Sequence, residues 1–213
     1  MTMQVGMVGT DGIVIASDLK WYSETEGMRE THLASKIKIR DDGRIAIACA
    51  ESEYSLNLST LIFRGFQGTS SASRCAVLER IGEEAMGWCD KVPQPRPQCH
   101  CLIAMREPFG LYSLRVGPEG QNCTKITDKR RAGDAGNPAM YFARFYEKKP
   151  ASDLVFLASH IVLRAAQFNS DGVEGLEVLL CEEQGMRMLS DAEISAIKQR
   201  SEALQETLTA ALS

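Results

Sequence analysis

The sequence predicts an α+β chain in which two antiparallel sheets are stacked between helices, a four-layer αββα sandwich. Three observations carry that expectation. Strand-like segments cluster in the first fifty residues, in the middle of the chain and again near residue 180. Pairs of segments with helical periodicity separate the clusters. The regular strand-helix alternation of a parallel doubly wound sheet is missing.

In chain order, Met3 to Val8 and Ile13 to Asp18 read as strands joined by a tight turn at Thr10-Asp11-Gly12, where glycine accepts the positive φ of a hairpin. A polar loop, Ser23 to Thr31, leads to a strand around Lys36 to Arg40. After a turn at Asp41-Asp42-Gly43 comes Ile45 to Ala50, an almost wholly apolar strand of the kind covered on both faces. The period then changes: Tyr54, Leu58, Leu61 and Ile62 share one side of a helix within residues 51 to 67. Leu78, Ile81, Ala85, Trp88 and Cys89 repeat the pattern in a second helix, which the loop Pro93 to Pro97 ends.

Cys99 to Met105 and Gly110 to Arg115 read as strands about a turn at Glu107 to Gly110, with a short third strand at Thr124 to Thr127. Helices are predicted at Pro138 to Lys149, where proline suits the first turn, and at Asp153 to Phe168, with Ser152 as cap. A hairpin of Leu176 to Cys181 with Met186 to Leu189 precedes a terminal helix. The capping box Ser190-Asp191-Ala192-Glu193 announces that helix, and Ile194, Ile197, Leu204 and Leu208 mark its buried stripe.

Composition narrows the function classes. The 213 residues, 44% hydrophobic and 24% charged, suit one globular domain. No run approaches the roughly 18 apolar residues of a membrane span, and no charged region followed by an apolar core opens the chain, so a cytoplasmic protein without membrane contact is expected. The seven cysteines are odd in number and mostly set in apolar segments, as reduced core thiols are. The net charge of -4 argues against a nucleic-acid partner, and the run Lys129-Arg130-Arg131 reads as a solvated turn. Cys99-His100-Cys101 has no second pair at metal-ligand spacing, and His32 and His160 adjoin no nucleophile motif. Gly133-Asp134-Ala135-Gly136 lacks the lysine of a phosphate cradle, so neither metal nor nucleotide cofactor is expected.

The order of elements, with Thr2-Met3-Gln4-Val5-Gly6, Asp18 at the end of the second strand and Lys36-Ile37 opening the next, resembles the proteasome β-type family of N-terminal nucleophile hydrolases, HslV-like peptidase subunits included. The resemblance implies that Thr2, exposed by loss of Met1, is the nucleophile. It makes Lys36, with Lys38 as its rival, the cation beside Thr2 and Asp18 the carboxylate that orients that cation. It assigns the oxyanion donor to the backbone N–H of Cys49, where a glycine is usual. Asp134 stands where the family has a supporting serine, and Ser170 and Asp171 lie where it has an aspartate and a Ser-Gly-Gly segment.

Chemistry explains the set. A threonine hydroxyl is a poor nucleophile, but at the chain start its own amine, with an unperturbed pKa of about 7.7 to 8.0, can accept the proton. A nearby ammonium favours the deprotonated hydroxyl, and a carboxylate holds that ammonium charged. The implied reaction is peptide-bond hydrolysis by a self-compartmentalising ring or spiral of identical subunits, fed with peptides or unfolded protein by an ATPase unfoldase. Asp134, Tyr22 and the altered Ser-Gly-Gly segment motivate a second reading as a non-catalytic scaffold; a third is an amidase acting on small amides.

Overall fold

The computed structural model describes residues 2–25, 28–50, 54–66, 73–90, 98–107, 109–133 and 136–212. β1 (Met3–Val8) and β2 (Gly12–Ser17) form the antiparallel hairpin expected at the start of the chain, in the register Val5↔Ala16. β2 continues the sheet to β11 (Glu177–Glu182), which pairs with β12 (Gly185–Met188), and β1 pairs on its other side with β10 (Lys129–Gly133). The first sheet therefore runs β10-β1-β2-β11-β12. A second sheet is a meander in chain order, from β5 (Ile37–Ile39) and β6 (Ile45–Ala50) through β7 (Cys99–Met105) and β8 (Gly110–Gly117) to β9 (Gly120–Ile126).

The two sheets face each other, which accounts for the unbroken apolar runs. In β2, Ile13 and Ile15 enter an inter-sheet cluster with Ala46, Ala48, Leu102, Ala104, Leu111 and Leu179. Val14 and Ala16, on the opposite face, join Met3, Val5, Met7 and Val178 beneath α3 (Ala151–Phe168). Successive side chains alternate across a strand, so a strand buried on both faces has no polar position left. On the outer face of the second sheet, α1 (Tyr54–Gly65) and α2 (Arg74–Cys89) place Leu58, Ile62, Leu78 and Ile81 against Ile45, Ile47, Cys101, Ile103 and Leu114. Each such aliphatic side chain contributes about 1.5–3 kcal/mol on burial. The layers are helix, sheet, sheet, helix, as expected. The approach between the sheets is close: a Cβ on Gly6 would sit 2.9 Å from Leu111 Cδ2, which explains the glycine after Val5.

Several local expectations are corrected. The polar loop Ser23 to Thr31 is instead part of a two-stranded hairpin of β3 (Lys20–Thr25) and β4 (Met28–Leu33), polar because it pairs only with itself. Lys129-Arg130-Arg131 is no turn but lies in β10, whose backbone pairs with β1 while the long stems stay partly exposed. The third strand of the middle region is longer than Thr124 to Thr127.

The helix over Pro138 to Lys149 is a 3-10 helix, Pro138–Phe145, capped by Asn137. It ends because Tyr146 is extended, with its hydroxyl bonded to Val8 O at 2.7 Å. α3 starts at Ala151 and is capped from a distance: Ala151 N donates to Asp11 Oδ1 at 2.7 Å, so the first hairpin supplies what Ser152 was expected to supply. α4 (Asp191–Leu212) opens with the reciprocal capping box, Ser190 N to Glu193 Oε2 at 2.8 Å and Glu193 N to Ser190 Oγ at 3.4 Å. Its expected stripe is only half covered, since Leu204 and Leu208 remain 38% and 39% exposed. Cys49, Cys75, Cys99, Cys101, Cys123 and Cys181 are free thiols. No described helix is long and apolar enough to cross a membrane.

Candidate active site

The site forms where the start of β1, the end of β2 and the start of β5 converge. Thr2 precedes β1 and is buried, and Asp18 follows β2 directly, so the hairpin register sets the two side by side. Asp18 N donates to Met3 O at 3.1 Å and Met3 N returns a bond to Asp18 Oδ1 at 2.8 Å. The other carboxylate oxygen, Oδ2, accepts from Lys20 N at 3.0 Å and from Lys36 Nζ at 2.7 Å. Lys36 Nζ also donates to Thr2 Oγ1 at 3.0 Å. Asp18, Lys36 and Thr2 thus form a continuous chain of side chains. Lys38, the rival cation, is exposed on β5, whereas Lys36, just before that strand, is buried.

Burial sets the electrostatics. Asp18 and Lys36 are both 0% exposed and form a fully buried ion pair. Burial pushes the Asp18 carboxyl up and is opposed by the Lys36 charge and by three hydrogen bonds. Burial pushes the Lys36 ammonium down, opposed by Asp18 first and Glu177 second. Lys36 therefore holds its proton less tightly than an ordinary lysine and hands hydrogen-bond strength to the threonine oxygen. Trp21 closes one side: Lys36 Nζ lies 5.3 Å from its ring centroid, and its indole N–H donates to Ala34 O at 3.1 Å.

The structure adds residues that sequence reasoning passed over. Glu177, the first residue of β11, is 8% exposed and reaches across to β5. Its Oε1 accepts from Lys36 N at 2.6 Å and Ile37 N at 3.0 Å, and its Oε2 from Ser35 Oγ at 2.7 Å. A charged residue at the head of the apolar run Val178-Leu179-Leu180-Cys181 was the available signal. Gln4 bridges the sheets, donating from Nε2 to Cys49 O at 2.6 Å and to Ser17 Oγ at 3.3 Å. Gly133, opposite Met3, has φ +88°, and a Cβ there would overlap the Thr2 carbonyl. The glycine is what lets β10 pass against Thr2.

Among the described residues, Cys49, Ser170 and Asp171 do not join this chain of side chains. The Cys49 N–H donates to Lys36 O at 3.0 Å and its carbonyl is taken by Gln4, so this amide is committed to the β5–β6 pairing rather than open to an oxyanion. Donors just beyond β6 would come from residues 51–53, outside the described residues. Asp134 also falls outside them. Ser170 and Asp171 sit on an exposed turn after α3; Ser170 O accepts from Lys20 Nζ at 3.2 Å, and among the described residues neither side chain bonds to Thr2. This turn docks on the site's flank through Leu19 N to Glu174 O and the Lys20–Glu174 ion pair.

No family model and no curated protein matches the sequence. Solved structures do match along nearly the whole chain. Anbu (ancestral beta-subunit) from Yersinia bercovieri superposes with a TM-score of 0.76 at 14% identity, over 99% of this chain and 96% of that one. An Anbu (Gly-1) mutant from Hyphomicrobium sp. strain MC1 gives 0.75 at 14% identity, over 100% and 96%. The Anbu complex from Pseudomonas aeruginosa, described as a helical assembly, gives 0.71 at 18% identity, over 97% and 95%. These matches correct the resemblance drawn from the sequence: the solved structures named are Anbu (ancestral beta-subunit) proteins, a proteasome-related but distinct family, rather than proteasome β-type or HslV-like subunits. The chain shares the fold of these Anbu structures, an α+β sandwich of two antiparallel sheets between helices.

Proposed function

We propose that this chain is a single-domain N-terminal threonine hydrolase that cleaves peptide bonds as one subunit of an Anbu-like homo-oligomer. The observation that carries the reading is the buried chain Asp18 Oδ2–Lys36 Nζ–Thr2 Oγ1, at 2.7 and 3.0 Å. A buried ion pair costs desolvation, and here its ammonium is spent on a single hydroxyl. Such an arrangement suits a site where negative charge develops on that oxygen.

Removal of Met1 frees the Thr2 amine. The Thr2 hydroxyl attacks the substrate carbonyl carbon and its proton passes to that amine, while the Lys36 ammonium stabilises charge on Oγ1. Collapse of the tetrahedral adduct breaks the C–N bond, and the amine returns the proton to the leaving group. An ester remains on Thr2, and water hydrolyses it by the same steps, regenerating the hydroxyl. The described residues lend the reaction a nucleophile, a cation and its carboxylate; the oxyanion donor lies elsewhere than Cys49. The helical assembly formed by the Pseudomonas aeruginosa Anbu complex supports a repeating arrangement of subunits here, with peptide or unfolded protein as the substrate class.

Intact mass of the purified chain tests for loss of Met1, and a threonine-directed β-lactone or boronate tests the nucleophile. One label per chain, abolished by Thr2→Ala, is the expected result. The committed Cys49 amide and the exposed Ser170–Asp171 turn favour one second reading, a non-catalytic scaffold on the same fold. Retained Met1 with no labelling supports that reading.

A further inference from the structure

Away from Thr2, the edge of the sandwich carries a concentration of positive charge that the proposed hydrolysis does not use. β10 is the end strand of its sheet, and beside it lies a cavity of about 270 Å³. Lys129, Arg130 and Arg131 of β10 line it together with Arg115 of β8, from the other sheet, above an apolar floor that includes Val5 and Met140. Among the described residues no carboxylate forms an ion pair with Arg115, Lys129 or Arg130. Lys129 rests instead over the Tyr146 ring, 4.8 Å from its centroid. In a chain of net charge -4, four cations around one concavity are not a consequence of composition.

A buried neighbour registers the field. His100 pairs with Arg115 across β7 and β8, is 1% exposed and shares a hydrogen bond of 2.8 Å with Ser113 through Nε2. Burial first, and then the charges of Arg115, Arg130 and Arg131, bring its pKa down to about 3. The positive potential therefore extends into the sheet. Cations on an edge strand also discourage edge-to-edge pairing. That role accounts for β10 but not for Arg115, which belongs to the opposite sheet and lines the same cavity.

We propose that this cavity is an anion-binding site for a compact phosphate- or carboxylate-bearing ligand, with Arg115 and Arg130 as its principal contacts. Guanidinium groups match both anions with paired N–H donors, and the apolar floor accepts the short carbon part of an organic acid. At about 270 Å³ the space takes a small polyanion and not a folded partner.

The test is calorimetric titration of the full chain with inorganic phosphate and, separately, with citrate, at fixed ionic strength. Saturable binding by at least one is expected, and the tighter of the two identifies the anion class. The double variant Arg115→Ala/Arg130→Ala is expected to weaken binding at least tenfold, Arg130→Lys less, and Arg44→Ala, outside the cavity, not at all. Should the double variant fail to fold, Arg130→Lys still reads the loss of the paired donors. The His100 imidazole resonances, followed by NMR, are expected to move with the same saturation curve. Absence of saturable binding, equal affinity in the variants, or binding that leaves His100 unmoved overturns the proposal.

Discussion

Glu177 offers the sharpest test of how the site is held. Its carboxylate is the acceptor for two buried backbone donors, Lys36 N and Ile37 N, and for the Ser35 hydroxyl, all at the start of β5. Glu177→Ala removes the acceptor and leaves both amides unsatisfied, each at a cost of about 1–3 kcal/mol, so roughly 4 kcal/mol in total. In a chain of this length that corresponds to a fall in Tm of about 12 °C. Glu177→Gln differs in kind. Its amide oxygen still accepts both backbone bonds, and its NH₂ can donate to Ser35 Oγ, whose one proton then goes to Ile37 O, already 2.8 Å away. Every group stays paired and only the charge is lost, about 1 kcal/mol or roughly 3 °C. The Lys36 pKa should fall further in both variants, because Glu177 is one of the two carboxylates that sustain it. Thermal unfolding gives the two shifts, and NMR of Cε-labelled lysine gives the pKa. Equal losses for Gln and Ala would mean that charge, and not hydrogen-bond geometry, anchors β5; losses below about 0.5 kcal/mol in both, within the range of surface substitutions, would refute the clamp.

Three further outcomes are expected. Asp18→Ala strips the buried Lys36 of its partner and should cost about 3–5 kcal/mol, measured by urea unfolding, with a smaller loss in Asp18→Ala/Lys36→Met because no unpaired charge remains. Gly133→Ala adds strain at φ +88° and drives a Cβ into the Thr2 carbonyl, so it should abolish Thr2 labelling and lower Tm, whereas Gly43→Ala, with φ +64° but open space around it, should lower Tm only and leave labelling intact. His160, buried between Phe142 and Phe156 and bonded to Ser201 Oγ at 2.9 Å, has its pKa lowered to about 4 by burial and by Arg164. The unfolded chain then binds a proton that the folded chain does not, so stability present above about pH 6.5 is lost as pH falls towards 4, by roughly 3 kcal/mol; a His160→Gln variant should unfold with a flatter pH dependence in that window.

Much of the fold could be read from periodicity. The first hairpin, the apolar β6 and β7, the helix pair and the capping box of α4 each carry their own local cause. Segments whose cause is remote were misread. β10 looks like a solvated basic turn because its reason to be a strand is the open edge of β1, more than a hundred residues earlier. The cap of α3 is Asp11, 140 positions away, and the chain around Ser152 gives no hint of it.

The same division runs through the site. The triplet Thr2, Asp18 and Lys36 came from the sequence as what the resemblance of Thr2-Met3-Gln4-Val5-Gly6, the strand-end Asp18 and Lys36-Ile37 implies, with Lys38 left open as a rival to Lys36. Tertiary structure decided that the triplet is sealed by Trp21, clamped by Glu177 and backed by Gly133, and that the Cys49 amide is committed to a sheet bond. Spacing along a strand is a local property, legible one segment at a time. Burial, and the unpaired or paired state of each buried donor, depends on which distant strands arrive beside it, and only the assembled sandwich determines that.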